Sequence, residues 1–319
     1  MGEWLEGRTL AQQIKKIIEG EVAQIRKARN ETPGLAAILV GEDKASQIYV
    51  RMKKKASEKL GIFSQVLHLP DDTSPSALHQ KIEELNKRND VDGILVQLPL
   101  PAHLSSYEAI TAIHPDKDVD GIHPVSLGNL VMNETGLRPA TPTGIMELLR
   151  SRGISVEGAR VVIIGRSLIV GKPLAAMMTN AQGTVTVCHS RTQALPSVAA
   201  EADILVAAMG RPGFVTPDFV KEGATVIDVG TSQLGDQAKA VELFGPEKKR
   251  MEDFAKKGYT LAGDVHPKVF DKVAFLSPVP GGIGPLTIAL LMRNTLEAYK
   301  RRRGLFPFSL MGRTQKGPD

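Results

Sequence analysis

A single cysteine, Cys188, occurs in 319 residues, so no intrachain disulfide and no multi-cysteine metal site can form. That suits a reducing compartment. Aromatic residues make up only 4% of the chain. They are too sparse for the stacking platforms that hold single-stranded nucleic acid, and they fit aliphatic layers of helix and sheet better. No apolar run approaches the ~18 residues of a membrane span. The N-terminal stretch Met1-Gly-Glu-Trp-Leu-Glu6 has no apolar signal core and no arginine. Gly-x-Gly-x-x-Gly is missing, and so are a Walker A loop and a Gly-x-Ser-x-Gly elbow, which removes support for ATP hydrolysis and for serine hydrolase chemistry. These absences predict a cytoplasmic protein with no nucleic-acid and no membrane partner.

The net charge of +5 is unevenly placed. Residues 301–319 hold five basic residues against one acidic residue, which leaves the body near +1. A basic body would argue for a phosphate-backbone partner; a basic end reads as a solvated tail.

What is present is a repeated device, a short apolar strand stopped by glycine or proline and followed by an amphipathic helix. Leu35-Ala-Ala-Ile-Leu-Val40 ends at Gly41, Gln65-Val-Leu-His-Leu69 ends at Pro70, and Gly93-Ile-Leu-Val-Gln97 runs into Leu-Pro99-Leu-Pro101. Helices are expected over Leu5–Ala28, Ser46–Gly61 and Ser76–Lys87. Arg138-Pro-Ala-Thr141-Pro-Thr-Gly144 reads as a domain junction opening a helix over Ile145–Arg152. Strands at 160–164, 184–188, 203–209, 224–229 and 259–262 then define a second α/β domain over about 141–275. The Gly/Pro loop Phe275–Pro285 opens a long apolar helix from Leu286 to about Lys300, with the proline just inside the helix start. Alternation of this kind is the signature of parallel α/β sheets, in which ligands bind beyond the carboxyl ends of the strands.

Gly165-Arg-Ser167-Leu-Ile-Val-Gly171-Lys-Pro173 lies between a strand and a helix, where backbone amides can receive a phosphate. The next strand ends at Ser190-Arg191 with no acidic residue. An acid there would hold the free ribose hydroxyl of NAD; a hydroxyl and a guanidinium favour a 2′-phosphate, hence NADP. Asp116-x-Asp118-x-Asp120-Gly121 imitates the start of an EF-hand, but the twelfth position is Leu127, so calcium is rejected. His114 and His123 lack helical ligand spacing and read as loop histidines; no metal is expected. Ser46, Tyr49 and Lys53 share one face of their helix, while Lys54 and Lys55 point away into solvent.

Four motifs in order, Ser46-x-x-Tyr49-Val-x-x-Lys53-x-Lys55-Ala56, Val96-Gln97-Leu98-Pro99-Leu100-Pro101, Lys117-Asp118-Val119-Asp120-Gly121 and Pro278-Val-Pro280-Gly-Gly-Ile-Gly-Pro285, together with Gly165–Pro173, resemble the bifunctional methylenetetrahydrofolate dehydrogenase/methenyltetrahydrofolate cyclohydrolase family. The resemblance runs from about Leu5 to Arg301. It implies two α/β domains around a cleft: a folate-binding catalytic domain (1–140 plus 276–303) and a Rossmann-like NADP domain (141–275). It also implies that the last helix returns to the first domain and that the chain forms a homodimer. A tail is expected over 304–319.

The resemblance implies that Lys53 is the catalytic lysine, that Tyr49 stacks on the p-aminobenzoate of the folate, that Gln97 bonds Lys53 and substrate, and that Asp120 holds the pterin. Val96, Leu98, Pro280, Gly281, Gly282, Ile283 and Gly284 would complete the folate pocket. Thr141, Gly165, Arg166, Ser167, Ser190, Arg191 and Thr231 would bind NADP. The sequence departs from the family pattern at Lys44, where proline is frequent, at Ala140, where cysteine is, at Thr231-Ser232, where Ile-Asn is, and at His266, where an acid is. Competing readings are another two-domain NADP dehydrogenase, of shikimate or quinate type, and a non-catalytic nucleotide-binding module. An added formyltetrahydrofolate synthetase activity lacks an ATP loop.

Overall fold

The computed structural model describes residues 2–305. The expected tail therefore lies, from residue 306 onward, outside the described residues. In chain order the elements are β1 (Glu3–Trp4), α1 (Arg8–Arg29), β2 (Gly34–Val40), α2 (Lys44–Lys59), β3 (Phe63–Leu69), α3 (Pro75–Lys87) and β4 (Gly93–Val96). Next come α4 (Ser106–Ala112), α5 (Pro124–Val131), α6 (Ala140–Ser151), β5 (Arg160–Ile164), α7 (Gly171–Asn180), β6 (Thr184–Cys188) and α8 (Leu195–Ala199). The remainder are β7 (Ile204–Ala207), β8 (Thr225–Asp228), β9 (Ser232–Leu234), α9 (Gln237–Phe244), α10 (Lys248–Lys257), β10 (Thr260–Ala262), β11 (Phe275–Leu276) and α11 (Ile283–Arg302).

The described residues divide into two compact units: residues 13–140 with 288–305, and residues 2–12 with 141–287. In the first unit β2 lies between β3 and β4, all parallel. Every residue of β2 and β4 is buried, which explains their unbroken apolar sequence. Leu78, Ile82 and Leu85 of α3 pack on this sheet at spacings of four and three. Strand order reverses at β2, so the carboxyl ends of β2 and β4 bring Gly41 and Gln97 to one edge.

The second unit is a six-stranded parallel sheet, ordered β1-β11-β8-β7-β5-β6. Its order reverses at β5, the strand that Gly165 ends, as in a dinucleotide-binding fold. Two differences from the expected layout stand out. Residues 2–12 and 276–287 belong to this unit, because β1 and β11 add two-residue strands to its sheet through Trp4 opposite Leu276 and Glu3 opposite Phe275. The expected strand at 259–262 leaves the main sheet and pairs antiparallel with β9.

The last helix does return to the first unit. Asn294 Nδ2 donates to the carbonyls of Val119 and Arg138 (both 2.8 Å), and Tyr299 Oη donates to Glu31 (2.9 Å). Arg302 and Arg303 each reach the fully buried carboxylate of Asp92 at 2.6 Å. The start of the basic end is therefore an ion-pair network, not a solvated tail. No helix among the described residues is long and apolar enough to cross a membrane.

Candidate active site

Helix α2 begins where Asp43 accepts the backbone N–H of Ser46 at 2.7 Å; hydrogen bonding from the Ser46 side chain, and then from its backbone, holds the Asp43 carboxyl below its ordinary range. It stops at Leu60, and Gly61 follows at φ +74°, a conformation that disfavours a side chain. Ser46, Val50 and Ser57 form its buried stripe. Ser46 is thus turned inward, rather than offering a hydroxyl beside Tyr49. Ser57 Oγ donates to the carbonyl of Lys53 (3.0 Å) and contacts Met292 Sδ of α11 (3.1 Å), fixing the helix at the level of the lysine.

Lys53 lies at the margin of that stripe and is half-buried; Tyr49, one turn earlier, is 40% exposed. Lys53 Nζ donates to Gln97 Oε1 at 3.0 Å, and Gln97 Nε2 donates to the carbonyl of Leu98 at 2.7 Å. The second bond fixes which amide atom faces the amine. Lys54, by contrast, is exposed and 3.9 Å from Glu58. Val96 is in the hydrophobic core, so only its backbone is available to a ligand, whereas Leu98 is half-buried.

The aspartate motif separates into different tasks. Lys117 is buried and its Nζ donates to the carbonyls of Leu85 (3.0 Å), Asn86 (2.7 Å) and Arg88 (2.7 Å), closing the end of α3. Burial, with help from Arg302, pulls its pKa down to about 8. Asp118 Oδ2 accepts from Ser126 Oγ (2.7 Å) and His123 N (2.8 Å) at the start of α5, and burial raises its pKa. A backbone bridge from Asp118 to Ile94 lays the motif beside β4. A side chain at Gly93 would overlap Val119. Gly121, at φ +69°, abuts the backbone of Arg138 and Pro139. Asp120 alone carries a carboxylate with no hydrogen bond or ion pair among the described residues. Desolvation raises its pKa, and the charge of Lys53 opposes that rise. His114 and His123 are loop caps: each Nδ1 accepts the N–H two residues on, of Asp116 (3.2 Å) and Val125 (3.1 Å).

In the second unit, Gly165 leaves β5 at φ +131°, and a Cβ there would meet the carbonyl oxygen of Ala208 at 2.2 Å. Gly171 opens α7 against the backbone of Gly165, where a Cβ would meet its carbonyl at 2.1 Å. Ser167 Oγ accepts from the amides of Val170 (3.2 Å) and Gly171 (3.4 Å). Arg166 and Ser167 stand exposed at this loop. After β6, Thr192 Oγ1 accepts from His189 N (2.9 Å) and His189 Nδ1 accepts from Arg191 N (3.1 Å), a tight turn that presents Ser190 and Arg191 outward. Arg191 has no carboxylate partner among the described residues. Thr231 is exposed, while Thr141 Oγ1 lies 2.9 Å from Thr287 Oγ1 of α11.

Two aspartates that sequence reasoning missed organise these strand ends. Asp228 accepts the amides of Gly230, Asp264 and Val265, each at 2.9 Å. Asp264 accepts those of Met209 (2.7 Å), Gly210 (2.9 Å) and Arg211 (2.6 Å). Burial pushes the Asp228 carboxyl up to about 7 against its three donors, with the Asp264 charge adding to the rise. Asp264 stands in a visible Gly-Asp-Val turn, but nothing in its spacing announces a partner 36 residues earlier. Ser277 Oγ accepts from Asp228 N at 2.8 Å and so starts the Pro278–Pro285 loop from the same node. In that loop Pro280 and Gly284 are exposed, whereas Gly281, Gly282 and Ile283 are buried. Gly281 takes φ +120° and accepts the amide of Gly7 at 3.0 Å. The Ile283 side chain is turned into the core.

With this geometry in place, comparison with known proteins is direct. The family model for the tetrahydrofolate dehydrogenase/cyclohydrolase catalytic domain matches residues 5–120, and that for the family's NAD(P)-binding domain matches residues 139–303. The bifunctional protein FolD of Koribacter versatilis is 54% identical over 300 residues, covering 94% of this chain and 97% of the relative. The crystal structure of the bifunctional FolD dehydrogenase/cyclohydrolase of Campylobacter jejuni superposes with a TM-score of 0.85 at 39% identity, over 95% of this chain and 100% of that one. The Trypanosoma brucei enzyme, solved with NADP and an inhibitor, gives 0.85 at 37% identity, over 95% and 98%. The chain belongs to the tetrahydrofolate dehydrogenase/cyclohydrolase family.

Proposed function

We propose that the protein oxidises 5,10-methylenetetrahydrofolate to 5,10-methenyltetrahydrofolate with NADP and hydrolyses the product to 10-formyltetrahydrofolate. The observation that carries the reading is the Lys53 amine, held at 3.0 Å by a neutral amide beside the unpartnered Asp120. An amine serves as base or proton shuttle only in its neutral form, roughly 0.04% of an unperturbed lysine at pH 7. A carboxylate at position 97 would hold it protonated; Gln97 orients it without adding charge. Substrate closing over Tyr49 would exclude water from the amine. Asp120 offers its carboxylate to the N–H donors of the pterin, and Tyr49 its ring to the p-aminobenzoyl group. In the first unit the Leu98 backbone is assigned to folate as well, and in the second unit the Pro280–Gly284 loop.

NADP fits the second unit, because glycines at 165 and 171 allow close backbone approach and Arg191 is a free guanidinium at the end of β6. When bound, NADP would supply the acceptor for the hydride of the folate methylene group. Arg166, Ser167 and Ser190 would hold its phosphates and Arg191 its 2′-phosphate, with Thr141 and Thr231 as further cofactor-binding residues. Lys53 then accepts a proton from the water that attacks the methenyl carbon, and it returns a proton as the ring opens.

The test is a coupled assay following NADPH formation and methenyltetrahydrofolate decay in the same preparation. Lys53→Met should abolish the hydrolysis and strongly weaken the coupled oxidation. Normal hydrolysis by the purified variant would sink the assignment. We place the reaction in the cytoplasm, on the single, buried cysteine. We assign a homodimer through β6, an edge strand with Val187 exposed; a monomer in sedimentation equilibrium would contradict that.

A further inference from the structure

We propose that Arg250, on α10, is a positioning residue that holds the Pro278–Pro285 loop in its folate-binding conformation. This rests on the reading above of that loop as folate-binding. The side chain is 13% exposed although it sits in a helix of mostly charged residues, so it is held in place and not solvated. Five contacts fix its guanidinium, one of them from Nη1 to Thr260 Oγ1 at 3.4 Å. Its plane lies over the Phe244 ring of α9, 3.6 Å from the centroid, and Nε donates to Glu247 at 2.8 Å. Nη1 donates to the carbonyl of Leu261 in β10 at 2.6 Å. Nη2 reaches the carbonyl of Val279 at 3.3 Å.

That last contact falls where the loop needs it. Before it, Ser277 is anchored to Asp228. After it, Gly282 N donates to the carbonyl of Pro278 (2.8 Å) and Gly281 accepts from Gly7. The Val279 carbonyl lies between these two anchors, directly before Pro280, the exposed residue of the turn. A planar fork reaches β10 and the loop through two nitrogens held in fixed geometry, which an ammonium on a flexible stem does not reproduce. The α9–α10 segment therefore acts on substrate from a distance, through one side chain.

The experiment measures KM and kcat for 5,10-methylenetetrahydrofolate and for NADP in wild type, Arg250→Ala, Arg250→Lys and Phe244→Leu, with thermal melting to confirm folding. Arg250→Ala should raise the folate KM about tenfold, since displacing a binding loop by a fraction of an ångström is costly, and should leave the NADP KM unchanged. Arg250→Lys should fall between wild type and Arg250→Ala, and Phe244→Leu should show the same selectivity in weaker form. A folded Arg250→Ala protein with wild-type folate KM, or with both KM values raised equally, overturns the proposal. If Arg250→Ala does not fold, unchanged folate KM in both other variants overturns it. Wild-type protein without NADP-dependent turnover of this folate would instead overturn the functional reading itself.

Discussion

Lys53 meets a neutral amide at 3.0 Å, while Lys54, one residue on, meets only a distant exposed glutamate. The two side chains have the same chemistry, and their surroundings separate them. Helical spacing places Lys53 with Tyr49, so this distinction was legible before any coordinates. By spacing alone Asp120 was one of three aspartates, and the family resemblance singled it out; which of them is left unpartnered depends on Ser126, His123 and β4, which no local pattern encodes. The Asp228 and Asp264 nodes were not legible, because their partners are backbone amides scattered over three strand ends. At the cofactor loop the residue-level argument is one of charge. Arg191 is exposed and has no carboxylate partner among the described residues, so its binding value should be confined to a ligand bearing an extra phosphate. Arg191→Ala should lower kcat/KM with NADP about tenfold, the usual scale of a lost charge-assisted bond, and leave the value with NAD nearly unchanged. Equal loss with both cofactors in steady-state assays would contradict the 2′-phosphate assignment.

At the scale of elements, caps decide where helices begin and end. Asp43, Ser74 and Ser105 each accept an amide three residues on, at the starts of α2, α3 and α4. Four histidines, His114, His123, His189 and His266, accept the N–H two residues later through Nδ1. Their loops were legible from proline and glycine, but this use of imidazole was not, because it leaves no spacing signature. Helix α6 starts at Ala140, five residues before the expected Ile145, since Pro142 is tolerated in a first turn. Helices α9 and α10 carry too few apolar residues to show a clear period. The closing cap of α3 is different in kind, a lysine borrowed from 30 residues downstream. Replacing it would strand three carbonyls in a buried setting. Lys117→Met should lower unfolding free energy by about 2–3 kcal/mol, read from urea titration. It should also reduce folate affinity, because Lys117 anchors the stretch that presents Asp120. Unchanged stability would show that water replaces the amine at no cost.

For the whole molecule, alternation of strand and helix was enough to predict two parallel α/β units, because fully buried strands are written as unbroken apolar runs. The boundary near residue 276 was not predictable from that pattern. Strands β1 and β11 have two residues each, too short to leave a period, yet their pairing assigns both chain segments to the second unit. Helix α11 begins there and ends in the first unit, so its last turn must be secured locally. Asp92 does this. Its carboxylate is fully buried, accepts Gly34 N at 2.9 Å, and faces Arg302 and Arg303 at 2.6 Å. Arg303 also pairs with Glu31 and lies 3.9 Å from the Tyr299 ring centroid. Removing one member of a buried ionic cluster costs more than the cluster's net worth, because the remaining charges lose compensation. Asp92→Ala should therefore destabilise the first unit by about 3 kcal/mol. Asp92→Asn, which keeps the acceptor for Gly34 N but removes the charge, should cost less. Hydrogen exchange should show the loss concentrated in α11 and β2. Uniform loss of protection across both units, or none, would mean that the helix end is secured by its apolar face alone.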